Sequence, residues 1–126
     1  MVKKRILLVE DDAWWQRFVV LSLEGLSEID LVIASDYGEG IRALQEGPYD
    51  LLIFDNTLKE IRGASIELLQ AAHRLLHPMP PAFVHSADLM PKVEEQVTML
   101  GAEYFRKQES QQEFKNTVQR LLTNSV

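Results

Sequence analysis

The chain has 126 residues, 46% of them hydrophobic and 25% charged, and a formal net charge of −6. That length suits one domain with a real core, and the composition excludes a disordered or collagen-like chain. The acidic balance argues against direct binding of nucleic acid or anionic membrane, and the absence of cysteine excludes disulfides, thiolate metal sites and a cysteine nucleophile.

The opening "MVKKR" is basic, as a secretory signal would be, but the apolar run after it, Ile6 to Val9, is short and meets three acids. A cytoplasmic start is therefore expected. No apolar run is long enough to cross a bilayer. The first strand is predicted over "RILLV", Arg5 to Val9. A helix follows over Ala13 to Leu26, where Trp15, Phe18, Val19, Ser22, Leu23 and Leu26 share a face and Asp12 can cap the start. Of Trp14 and Trp15, one is expected in the core and the other near the acids as an optical reporter.

The second strand is predicted over "DLVIA", Asp30 to Ala34. Its helix opens at Asp36, with Glu39 in capping-box arrangement, and stops at Gly47 and Pro48. The third strand is "LLIF", Leu51 to Phe54, followed by a helix from Ala64 to Leu76. The stretch "HPMPPA", with three prolines, reads as a loop that delivers a fourth strand, Ala82 to His85. A helix over Pro91 to Leu100, a fifth strand in "EYFR" around Tyr104 and a last helix over Gln111 to Leu122 complete the chain. No repeat or linker interrupts it, so residues 1–126 are expected to form one domain with no output domain visible.

Strands alternating with helices imply an α/β, doubly wound parallel sheet, whose ligands bind at the carboxyl ends of the strands. The residues just past the strands are Glu10, Asp11 and Asp12, then Asp55, then Ser86, then Lys107. Acids gathered in this way repel, by about 4 kcal/mol for two charges ~4 Å apart at an effective dielectric of ~20, and a divalent cation can relieve them. Carboxylate oxygens suit magnesium. An aspartate can also attack a phosphoryl group to form an acyl phosphate, provided a metal, a lysine and a hydroxyl neutralise the charge.

In "ILLVEDD", "GPYDLLIFDNTLKEIRG", "AFVHSA" and "LGAEYFRK" the chain resembles, over its whole length, the receiver domains of bacterial two-component response regulators. That resemblance implies the flavodoxin-like topology of five parallel strands flanked by five helices. It implies that Asp55 is the phosphoacceptor, with Gly63 at the eighth position after it. Glu10 and Asp11, with Asp55 and the Thr57 backbone carbonyl, would hold Mg2+, leaving Asp12 as a helix cap. Ser86 would be the switch hydroxyl, Ala87 the small residue beside it and Lys107 the cation for a phosphate oxygen. Tyr104 or Phe105 would be the aromatic switch on the face of the fourth helix, fifth strand and fifth helix. The implied partners are a sensor histidine kinase or phosphotransfer protein and a downstream protein, with the receiver a monomer or a phosphorylation-dependent dimer.

The chain departs from the family pattern in three places. Counting from Gly101, the eighth residue is Gln108 and Lys107 comes one early. Lys107 is preferred because "EYFRK" keeps the family's order of acid, aromatic, apolar, any, lysine. Gln108 in that place would mark a degenerate receiver, a binding module indifferent to phosphate. Lys59 stands where a proline is usual, which predicts a more mobile loop, and no proline follows Lys107.

His73, His77 and His85 show no metal-site spacing and read as structural, His85 being the one close enough to Ser86 to reach the site. A phosphohydrolase would want an acid where Thr57 stands, and a flavin phosphate would be repelled by "EDDAWW".

Overall fold

The computed structural model describes residues 3–26, 28–59, 61–87, 90–107 and 110–123. Five strands, β1 (Lys4–Val9), β2 (Ile29–Ala34), β3 (Leu51–Asp55), β6 (Ala82–Ser86) and β7 (Glu103–Arg106), form one sheet in the order β2-β1-β3-β6-β7. All four pairings in it are parallel. The helices are α1 (Ala13–Leu23), α2 (Tyr37–Leu44), α3 (Ala64–Leu75), α4 (Pro91–Met99) and α5 (Gln111–Thr123). This is the expected doubly wound, flavodoxin-like arrangement.

The strands read as unbroken apolar runs because both sheet faces are covered. Ile6, Leu8, Ile53 and Phe83 point one way and pack with Phe18, Val19, Phe114 and Val118 of α1 and α5. Their neighbours Leu7, Val9, Leu52, Phe54 and Val84 point the other way, against Leu44, Leu68, Leu69 and Val97 of α2, α3 and α4. The period of two in the strands thus divides the core into two layers. Gly40 lets α2 approach the sheet, since a Cβ there would lie 3.1 Å from Val9 Cγ1 and 3.2 Å from Leu68 Cδ2.

Element ends differ from the sequence expectations by a residue or a few. The first helix stops at Leu23, short of Leu26, as the chain turns at Gly25 and Leu26 N donates to Leu23 O at 3.0 Å. Asp12 caps α1, its Oδ1 accepting from Trp14 N at 2.8 Å. Asp36 caps α2 through Glu39 N, while Glu39 Oε1 accepts from Ser35 N rather than from the cap itself.

A small antiparallel hairpin, β4 (Thr57–Leu58) with β5 (Ile61–Arg62), was not foreseen and fills the connection between β3 and α3. Within it Lys59 has φ +55° and its N–H donates to Asp11 Oδ2. Proline could supply neither that dihedral nor that donor, which accounts for its absence from this loop. That hydrogen bond ties the loop to the first acidic cluster. Gly63, at φ +74°, provides the left-handed turn into α3.

Candidate functional site

The sheet order places β1 between β2 and β3, so the connections leaving β1 and β3 diverge and open a crevice at their carboxyl ends. Val9 lies beside Phe54 in the register, which sets the next residues, Glu10 and Asp55, side by side. Asp55 in turn pairs with His85 of β6. Both acids fall on the α1/α5 face of the sheet because they continue the parity of Leu8 and Ile53.

Glu10 and Asp55 are buried, and Asp11 is half-buried. One oxygen from each of the three lies within 4.8 Å of the others. Lys107 enters from the end of β7, its N–H donating to Ser86 O at 2.7 Å. Its ammonium stands 3.1 Å from Glu10 Oε1 and 3.6 Å from Asp55 Oδ2, and 4.9 Å from the centre of the Trp15 ring. Gln108 lies outside the described residues.

Burial and the adjacent Glu10 charge push the Asp55 pKa up to about 7. Burial also raises Glu10, against the pull of its contacts with Asp55 and Lys107. A site with more carboxylates than ammonium groups and a hard-oxygen donor set fits a magnesium ion.

Ser86 is buried at the end of β6, and Ala87 beyond it is exposed. Thr57 N donates to Asp55 Oδ1 at 3.4 Å, so the loop after the strand folds back over the acid. Tyr104 is buried in the layer that packs α4, and Phe105 faces the opposite layer, edge-on to Phe83. Of the two tryptophans Trp14 is 60% exposed, and the packed one, Trp15, is the one against Lys107.

Two residues of the site were missed or misjudged from sequence. His85, read as structural, is fully inside the pocket with Nε2 3.2 Å from Glu10 Oε1. Burial first, then the Lys107 charge, lower its pKa to about 4, so the ring is neutral. Its parity with Phe83 was the available signal. His73 and His77 are remote, their Nε2 atoms meeting the backbone carbonyls of Leu100 and Arg74.

Asn56, not singled out at all, is a buried junction. Its N donates to His85 O and its O accepts from Ala64 N. Its Oδ1 accepts from Ser65 Oγ at 2.7 Å, and its Nδ2 donates to Met90 Sδ at 3.3 Å. The loop after β3, β6, α3 and the cap of α4 therefore meet at one residue, β6 through its backbone and the α4 cap through its side chain.

No protein-family model and no curated protein sequence matches the chain. Solved structures do. A CheY-like response regulator receiver domain from Methanospirillum hungatei superposes with a TM-score of 0.85 at 24% identity, covering 98% of this chain and 96% of that one. The receiver domain of the response regulator NarL of Mycobacterium tuberculosis gives 0.82 at 18% identity, over 98% and 99% of the two chains. The chemotaxis response regulator CheY4 of Vibrio cholerae gives 0.79 at 19%, over 95% and 99%. The chain is similar to these in fold, which is that of response regulator receiver domains.

Proposed function

We propose that residues 1–126 form a receiver domain that accepts a phosphoryl group on Asp55 from the phosphohistidine of a sensor kinase or phosphotransfer protein. The observation that carries this reading is Lys107 Nζ lying between Glu10 and Asp55 at the carboxyl end of the sheet. Glu10, Asp11, Asp55 and the Thr57 carbonyl would hold Mg2+, which when bound would neutralise charge on the phosphoryl oxygens.

Asp55 attacks as the carboxylate, so its raised pKa has to be countered. Lys107 favours the ionised form, and the Thr57 N–H offers a further donor. An Asp55 oxygen bonds to phosphorus as the bond to the donor nitrogen breaks, the nitrogen keeping its electron pair. Lys107, released from Glu10, then pairs with a phosphoryl oxygen, and Ser86 donates its hydroxyl to another.

Movement of Ser86 and Lys107 biases the α4, β7 and α5 face, with Tyr104 and Phe105 as its aromatic elements, toward a form that a downstream protein reads. A kinase partner of this class implies a cytoplasmic location. Among the described residues no helix is long and apolar enough to cross a membrane. The Lys107 contacts favour this reading over a phosphate-indifferent binding module.

The test is intact mass after incubation with acetyl phosphate, with and without magnesium, for wild type and Asp55→Asn. A magnesium-dependent gain of one phosphoryl group, absent in the variant, is expected. No gain in folded wild type that also ignores beryllofluoride would return the binding module as the better account.

A further inference from the structure

His85 Nε2 is buried without a hydrogen bond among the described residues and faces Glu10 Oε1 at 3.2 Å, an oxygen that already lies against the Lys107 ammonium. Leaving that buried ring nitrogen unsatisfied costs more than the modest turn of the ring that would join it to the carboxylate. The imidazole has little freedom to do otherwise, since it is packed edge-on to Trp15 and Phe83 and tilted against Phe114. Glu10 is equally confined. Its Oε2 accepts from Asp12 N at 3.1 Å and its Oε1 lies 3.1 Å from the Lys107 ammonium.

An oxygen turned toward an ammonium is turned away from a dication, because the two cations repel. We infer that His85 is a positioning residue for Glu10, holding Oε1 on the Lys107 side of the pocket, so that a divalent cation must win Glu10 from the imidazole before it binds. The inference rests on the receiver reading for the presence of the cation and deepens it: His85, through Glu10, sets how much magnesium the domain needs. It also assigns the ring its tautomer, with the proton on Nε2 pointing at the carboxylate.

The experiment is calorimetric titration of the metal-free protein with magnesium chloride, for wild type, His85→Phe, His85→Gln and Glu10→Gln. Phenylalanine keeps a ring among Trp15, Phe83 and Phe114 but removes the donor, and glutamine keeps a donor. His85→Phe is expected to bind magnesium about three- to tenfold more tightly than wild type, with His85→Gln close to wild type and Glu10→Gln much weaker. In the metal-free wild type the 15N spectrum is expected to show the His85 proton on Nε2, with the signal moving when magnesium is added.

Unchanged or weaker binding by His85→Phe would overturn the inference, as would His85→Gln behaving like His85→Phe. A ring nitrogen coordinated to Mn2+ in pulsed electron paramagnetic resonance would also overturn it, by making His85 a ligand. Should His85→Phe fail to fold, His85→Met removes the donor with a flexible apolar filler and carries the same comparison. Wild type giving no magnesium heat would overturn the receiver reading and this inference together, whereas normal binding with an inert His85→Phe removes the inference alone.

Discussion

Asp55 is where the electrostatics of the pocket converge, since its burial and the neighbouring Glu10 both oppose its charge. An acid whose pKa is raised by folding contributes stability at low pH, and loses it as pH rises from the ordinary value of 3.8 through the folded value of about 7. In the presence of EDTA, Asp55→Asn is therefore expected to exceed wild type by about 1–3 kcal/mol at pH 8 in urea unfolding, the gap closing toward pH 4. Equal stabilities at pH 8 would mean that the carboxylate bears no such penalty.

Lys107→Ala is expected to slow uptake from acetyl phosphate by about 10- to 100-fold, followed by mass spectrometry, because the displaced charge loses its buried partner. A variant as fast as wild type would take Lys107 out of the chemistry. At this scale the apolar runs before them placed Glu10, Asp11, Asp55 and Ser86 at the crevice, and the order of residues in "EYFRK" pointed to Lys107, which the structure brings beside Glu10 and Asp55. His85 was not. Its importance follows from pairing with Asp55 across a register that one sequence does not contain.

The elements show where local signals suffice. Strands and helices were legible to within a few residues, because apolar periodicity and caps such as Asp12 and Asp36 act over short spans. The β4/β5 hairpin was illegible, since two-residue strands are too short to show a period. It nevertheless governs the loop above the acids. Lys59→Pro would install the residue usual at this position in the receiver domains that the chain resembles, yet it is expected to destabilise by about 1–3 kcal/mol, for want of a φ of +55° and an N–H to Asp11. Thermal unfolding checks this, and a stabilised variant would show that neither the dihedral nor the Asp11 bond holds the loop. Gly63→Ala should cost about 1 kcal/mol from the left-handed dihedral alone, as nothing lies within 4 Å of the added Cβ.

For the molecule as a whole, the sheet separates two packed layers, and the pocket sits where their ends meet. Under the proposed function a change at Asp55 would have to reach α4, and its neighbour Asn56 bonds Met90 at that helix's cap. Hydrogen exchange with magnesium and beryllofluoride is expected to alter protection over residues 91–106 in wild type. In Asn56→Ala the same ligand should bind with a much smaller change there. An undiminished response would place the coupling elsewhere. The architecture was legible from the alternation of elements, whereas this route was not, because Asn56 and Met90 are distant in sequence and meet only after β3, β6 and α4 are assembled.

The Asn56 junction also restricts how such a chain can change over generations. Asn56 follows Asp55, the proposed acceptor, bonds β6 through its backbone, and holds Ser65 and the cap of α4 through its side-chain amide. Under the proposed function, speed of charging and size of response would then be linked traits. A replacement at Asn56 would then be expected to move both, with Ser65 and Met90 the residues placed to compensate.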